Sequence, residues 1–442
     1  MKTTYFTNAP GNWEILQQTN GQATYTFTGH YEIQPNTEPE HNIVYVGVLD
    51  EVNGAPVVAF QPAEMEEGEF TFTCTIPAGG LYRIELRIAT KPYMSPTNAT
   101  PCDARHHIGV GDNYIVAGQS NASGVGKGEI EEPLDLMVHT LRDREYWDIA
   151  TNPMDFGRTL NTPWVAFARV LARHLHYPIG LIPTAIAGSL IKSWLPEESG
   201  ELYQTMISVV REHKIGVKGI IWYQGCSEAL MCEGDSYFRR LSSFISHARE
   251  DLNQPNLPIH IMQINRRMDG GATPELHHNW SLVREAQRKA SHDIPNVTLT
   301  PAFDARLSDG IHNGAITNPA LGQRMAMQVL YTNYHIGTNH NPPDIEVAEQ
   351  IEDTHIRLTF TNTYTMQLFA LGDRTPLMVE DSQGKVPFTS VTSYGPYVSI
   401  KLARKIEGPA FVSCMYGEEL PYFIADGTTQ IPALAFYRVP VA

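Results

Sequence analysis

Basic side chains are scarce in this sequence: 32 lysines and arginines stand against 48 aspartates and glutamates, a formal net charge of −16 over 442 residues. Such a field repels polyanions, which argues against nucleic acid or an anionic membrane as partner and leaves neutral and small substrates open. Cysteine is scarcer still. Cys74, Cys102, Cys226, Cys232 and Cys414 are scattered and odd in number, so they build neither a disulfide framework nor a paired zinc motif. No apolar run reaches the length of a membrane span. The opening Met1-Lys-Thr-Thr-Tyr-Phe-Thr-Asn8 lacks the apolar segment of a secretory signal, so a cytoplasmic protein is expected; a secreted chain already trimmed of its signal would read the same way. Four N-x-S/T sequons, at Asn98, Asn121, Asn279 and Asn296, are read as chance in a chain of this length.

What is present fits a packed globular protein, with 42% hydrophobic and 18% charged residues. The length calls for two or three domains. Residues 1–108 read as strands (Ala23–Thr28, Ile43–Leu49, Val57–Phe60, Glu69–Ile76, Leu81–Ile88) separated by turns such as Asn53-Gly54, which predicts a β-sandwich. Residues 109–338 alternate buried-type strands at Tyr114–Ala117, Ile179–Ile186, Val217–Tyr223, Ile259–Ile264 and Val297–Leu299 with helices. Thr162-Pro163 opens one helix, Asp235 is placed to cap another, and Asn318-Pro319 starts the last. This pattern predicts a doubly wound α/β domain with its site at the carboxyl ends of parallel strands. Residues 339–442 return to strands: Ile356–Phe360, Met366–Ala370, Leu377–Glu380, Val386–Val391, Tyr397–Leu402 and Phe411–Tyr416. Asp381-Ser-Gln-Gly384 reads as a hairpin turn, and the whole as a small β domain.

Chemistry-bearing residues sit just after the α/β strands. Tyr114-Ile-Val-Ala-Gly-Gln-Ser-Asn121 runs an apolar strand into Ser120, which is either a nucleophile presented at a strand tip or the closing residue of a turn. Asp309-Gly-Ile-His312 supplies a histidine able to accept a serine proton and a carboxylate able to orient it; His312 could equally be a loop histidine bonded to backbone. Ile220-Ile-Trp-Tyr-Gln-Gly-Cys-Ser-Glu228 places Gln224 and Gly225 where amide donors could meet a developing oxyanion, and the Gly188 N–H, free of a side chain, can approach a ligand closely.

In this order, Gly118-Gln-Ser-Asn121, Gly188-Ser189, Trp222-Tyr-Gln-Gly-Cys-Ser227 and Asp309-Gly-Ile-His312 resemble the blocks of the SGNH-type hydrolases, specifically the sialate O-acetylesterase-like carbohydrate esterases. Trp280, Arg284-Glu-Ala-Gln287 and the tail Ile431-Pro-Ala-Leu-Ala-Phe436 extend the likeness over most of residues 110–442. The resemblance implies a flavodoxin-like α/β hydrolase domain flanked by the two β regions. It further implies Ser120 as nucleophile, His312 as base and Asp309 as orienting acid. The oxyanion hole would comprise the N–H groups of Ser120 and Gly188 and the Gln224 amide. No cofactor or metal is called for. The implied substrate is an acetylated sugar or oligosaccharide, with sialic acid, xylan and mannan oligosaccharides all compatible. Candidate substrate contacts are Gln119, Asn121, Trp194, Trp222, His278 (in a loop after a strand) and Arg266.

The chain departs from the family at Cys226, where glutamate is usual, which bears on substrate preference and on hydrogen bonding near the nucleophile. A thiol nucleophile at Cys226 is the sharper alternative and a small buried residue the plainer one. A lipid or acyl-ester hydrolase on the same fold and a non-catalytic carbohydrate-binding protein are the rival readings. Assembly into a homo-oligomer stays open.

Overall fold

A computed structural model describes residues 4–155, 160–369, 375–417 and 422–442. Its centre is a sheet built from seven strands: β1 (Thr100–Gly118), β2 (Val138–Arg142), β3 (Tyr146–Ile149), β4 (Ile179–Pro183), β5 (Gly219–Tyr223), β6 (Ile259–Gln263) and β7 (Val297–Pro301). They lie in the order β3-β2-β4-β1-β5-β6-β7, all parallel except the edge strand β3. Every residue of β4, β5 and β6 is buried, which requires helices on both faces and explains why these strands read as unbroken apolar runs. Chain order reverses at β1, so β1 is the switch point at which an open α/β sheet leaves a crevice at its carboxyl edge.

Among the described residues, seven α-helices accompany the strands: α1 (Ser120–Ser123), α2 (Trp164–Leu175), α3 (Glu201–Glu212), α4 (Cys226–Leu230), α5 (Tyr237–Asp251), α6 (Pro274–Asp293) and α7 (Asn318–Tyr334). α2 packs on α7, and α5 on α6. The start of α2 is as expected: the Thr162 hydroxyl accepts the Trp164 N–H at 3.2 Å, beside Pro163. Asp235, expected to cap α5, instead lies within a 3₁₀ turn, Gly234–Ser236, that feeds the helix, and no side chain caps it. His278, expected in a loop, lies on α6 together with His277; the start of this helix is capped by the Thr273 hydroxyl on the Leu276 N–H. The inward face of α6 mixes Arg284, Glu285, Gln287 and Arg288 with Trp280, Val283, Ala286 and Ala290, so the apolar period that marks a helix is diluted by buried polar residues.

The N-terminal strands form two layers around Phe27, Val46, Phe70, Ile76, Ile84 and Leu86, antiparallel except for Ile15–Gln17, which pairs parallel with β1. Glu69–Pro77 alternates exposed and buried positions as its sequence pattern predicts. β1 joins this region to the hydrolase sheet without a break. Its first half pairs antiparallel with Gly79–Ala89, and Asp112–Gly118 pair parallel with β4 and β5. The change of character read at residue 108 therefore falls inside one strand.

After α7, antiparallel strands build a separate core around Ile356, Leu358, Val379, Val398, Ile400 and Val412. Asp381 pairs with Gly384 across the expected hairpin turn. The strand expected over Met366–Ala370 covers Met366–Phe369, and Ala370 lies outside the described residues. Among the described residues, no helix is long and apolar enough to cross a membrane.

Candidate active site

The carboxyl ends of β1, β4, β5, β6 and β7 deliver the residues singled out from sequence to one edge of the sheet. Ser120 opens α1 directly after β1 and is 7% exposed. Gly188 follows β4 in a left-handed conformation, φ +73°, with open space where a side chain would stand. Among the described residues, the amide N–H groups of Ser120 and Gly188 donate to no protein acceptor. Two such free amides at a strand edge can bind a developing oxyanion.

Asp309 and His312 meet within one turn after β7. His312 Nδ1 lies 2.9 Å from Asp309 Oδ2, and Asp309 Oδ1 accepts the backbone N–H groups of Ile311 (3.0 Å) and His312 (2.9 Å). Burial alone would raise the Asp309 pKa, but these amides and the imidazole together hold it well below the usual carboxylate range. Lys127 Nζ adds a positive charge 3.4 Å from Oδ2. With Nδ1 engaged by the carboxylate, Nε2 is the ring nitrogen left for a proton transfer.

The histidine turn is fastened to the serine loop by Asn121. Its Oδ1 accepts the Asn313 N–H at 2.9 Å, and its Nδ2 donates to the Ile311 carbonyl at 3.3 Å, one bond on each side of His312. Asn265, at the end of β6, donates to the same Ile311 carbonyl at 2.7 Å and to Asn313 Oδ1 at 2.8 Å. Asn313 Nδ2 in turn donates to the Tyr223 hydroxyl at 3.2 Å. Asn265 and Asn313 were not singled out from sequence. The strand-end rule that found Ser120 would have found Asn265, and Asn313 directly follows His312.

Several expected contacts are corrected by the packing. Gln224, expected to donate to an oxyanion, is fully buried, and its Nε2 donates to the Glu228 carboxylate and to the Ser189 carbonyl. Trp194 and Trp222, expected beside the sugar, are fully buried. Trp222 stacks on Phe244 at 4.3 Å and meets Trp194 edge-on at 5.3 Å, within the buried aromatic cluster over β5. Gln119 and Asn121 are buried brackets. The Gln119 Oε1 accepts the Gly225 and Ser227 N–H groups at 2.9 and 3.3 Å, holding the serine loop to the start of α4. His278 faces the C-terminal region, with Nδ1 3.1 Å from the Tyr437 hydroxyl. Arg266 stays at the end of β6, half-buried, and donates to the Ala305 carbonyl at 3.2 Å.

Cys226 is buried with its Sγ 3.7 Å from Asn265 Oδ1, and burial pushes its thiol up to about 12. A thiol so protected carries almost no thiolate at neutral pH and is a small core residue here, not a nucleophile. Two residues on, Glu228 Oε1 accepts the Ile191 N–H at 2.5 Å. Burial raises the Glu228 pKa. Among the described residues, no group of three or more His, Cys, Asp or Glu side chains is placed to hold a metal ion.

This sheet order is the fold of the SGNH-like acetylesterases. The crystal structure of a carbohydrate acetylesterase from Xanthomonas citri matches it with a TM-score of 0.68 at 19% identity, over 96% of this chain and 97% of that one. In sequence, a protein of Arabidopsis thaliana described as a probable carbohydrate esterase is 32% identical over 197 residues, 42% of this chain and 71% of the relative. The family model described as carbohydrate esterase, sialic acid-specific acetylesterase, matches residues 110–331, and the chain belongs to that family. It is accordingly a carbohydrate acetylesterase, a hydrolase whose substrates are acetylated sugars.

Proposed function

We propose that the chain removes O-acetyl groups from sugars through a serine acyl-enzyme, with O-acetylated sialic acid as the substrate suggested by the family description. The observation that carries the mechanism is the fastening of the His312 turn, already oriented by Asp309, to the residue next to Ser120. Ser120 Oγ attacks the acetyl carbonyl as His312 Nε2 takes its proton. The resulting oxyanion is held by the N–H groups of Ser120 and Gly188. Collapse breaks the ester C–O bond, and His312 returns the proton to the departing sugar hydroxyl. Water then attacks the acetyl-enzyme, giving a proton to His312, and as the acyl C–Oγ bond breaks His312 returns that proton to Ser120 Oγ and acetate leaves. Asp309 holds the imidazole in the tautomer that keeps Nε2 free and stabilises the imidazolium formed in each half-reaction.

The test is acetate release by wild type and Ser120→Ala across O-acetylated sialic acids and acetylated xylo- and manno-oligosaccharides. Activity is expected to vanish in the variant with the fold intact, and to be highest in wild type on the sialic acids. Retained activity in Ser120→Ala would overturn the mechanism. Preference for xylo- or manno-oligosaccharides would overturn the substrate assignment alone.

A further inference from the structure

We infer that Arg284 is a positioning residue through which the C-terminal β region holds the His312 turn in register. The inference rests on the proposed pairing of Ser120 with His312 and adds to it a dependence on residues far along the chain. Arg284 lies on α6 and is 1% exposed. A guanidinium has five N–H donors and no acceptor, so its burial requires oxygens on several sides. Among the described residues, four backbone carbonyls accept from it. Nε donates to Ile264 at 3.1 Å and Nη2 to Asn265 at 2.7 Å, both in the segment that follows β6. Nη1 donates to Met415 at 2.9 Å and Gly417 at 2.7 Å, both just beyond the C-terminal strand Phe411–Cys414.

The choice of Asn265 as acceptor gives Arg284 its leverage. The side chain of Asn265 donates to the Ile311 carbonyl and to Asn313 Oδ1, the residues on either side of His312. Two more bonds tie the same strand end to the C-terminal region: Gln263 Nε2 donates to the Ala435 carbonyl at 3.0 Å, and its Oε1 accepts the Ala435 N–H at 2.9 Å. An arginine serving only to glue two regions together could use any hydrogen-bond acceptor on the sheet.

The C-terminal partner accepts an unfavourable backbone to meet it. Met415 and Gly417 both occupy the left-handed region, at φ +59° and +93°, and together present two carbonyls to one guanidinium nitrogen. Left-handed geometry is uncommon for methionine and persists where surrounding contacts over-determine it. A Cβ at Gly417 would stand 2.5 Å from His277 Nδ1, so only glycine fits. The Gly417 N–H is held by Ser281 Oγ on α6 at 2.9 Å.

The test uses the full chain with Arg284→Lys, Gly417→Ala and the double variant Gly417→Ala/His277→Ala, assayed on one acetyl ester. Near-UV circular dichroism at the assay temperature reports the folded fraction. Misplacing a catalytic group by about 1 Å costs about 10²-fold in rate. Arg284→Lys and Gly417→Ala should therefore lose about 10- to 100-fold in kcat with KM changed less than about 2-fold, and the acid limb of the kcat/KM pH profile should shift. Removing His277 should return part of the kcat lost in Gly417→Ala. A folded Arg284→Lys protein with wild-type kcat and pH profile would overturn the inference, as would a loss of kcat equal to the loss of folded protein. If Arg284→Lys does not fold, Gly417→Ala decides alone, and wild-type kcat there overturns it. Activity surviving in Ser120→Ala would instead remove the underlying catalytic reading. A dead Ser120→Ala beside fully active Arg284→Lys and Gly417→Ala would remove only this inference.

Discussion

Gln224 gives its side-chain N–H to the carboxylate of Glu228, one turn further along and equally buried. The pair grips the segment after Gly188 from two sides, since Gln224 also donates to the Ser189 carbonyl and Glu228 accepts the Ile191 N–H. In the proposed mechanism Gln224 acts on the oxyanion through the loop that carries the Gly188 amide, rather than by donating to it. Glu228→Gln puts an NH2 where one of two N–H donors needs an oxygen. An unsatisfied buried donor costs about 1–3 kcal/mol, which urea denaturation should report. The variant should also lose kcat more than it raises KM. Unchanged stability would show that the carboxylate is not needed there.

Asp309 sets an acid limit. Its folded pKa lies well below the ordinary 3.8. The stability it contributes is therefore complete above 3.8 and is lost as pH falls through that value towards the lowered one. Asp309→Asn removes this titration. Urea midpoints measured from roughly pH 5 down to pH 2 should fall more steeply for wild type than for the variant. Parallel curves would contradict the assignment. At neutral pH the same variant should lose about 10²- to 10⁴-fold in kcat, because asparagine no longer fixes the histidine tautomer.

Gly188→Ala separates backbone conformation from packing. The new methyl group meets nothing within 4 Å, so the cost comes from the left-handed φ of +73°, about 1–2 kcal/mol. Relaxation of that strain turns the amide away, and loss of one oxyanion donor costs about 10²- to 10³-fold in kcat. A folded Gly188→Ala enzyme with normal kcat would exclude this amide from the oxyanion hole.

Trp222 discriminates between core and sugar platform. Its ring is fully buried against Phe244 and Trp194. Trp222→Ala should cost about 3–5 kcal/mol in thermal or urea unfolding. A well-folded variant with raised KM would instead mean that the ring contacts substrate.

The parts of this protein visible in its sequence are those governed by neighbours along the chain. Short unbroken apolar runs are what a parallel strand covered on both faces requires, so β4, β5 and β6 can be read directly, to within a few residues at their ends. Ser120 follows such a run, and three residues from Asp309 to His312 suffice for carboxylate and imidazole to meet inside one turn. Where local pattern and burial diverge, reading by pattern fails. α6 interleaves polar residues with Trp280, Val283, Ala286 and Ala290 on its buried face, so His278 near its start looked like a loop residue, and the hairpin β2–β3 carries no strong signal.

Tertiary structure alone decided where each donor is spent. A sequence shows that Gln224 has an amide, that Trp222 has a ring and that Arg284 has a guanidinium. It does not show the acceptors, which lie 4, 35, 19 and 133 residues away at Glu228, Ser189, Asn265 and Gly417. Hydrogen bonds and core contacts are made in space, and only the closed sheet with its packed flanks sets which distant carbonyl stands within 3 Å. The residues proposed for the chemistry, Ser120 and His312, were therefore legible locally, and the hydrogen bonds that fasten their loops come from distant parts of the chain.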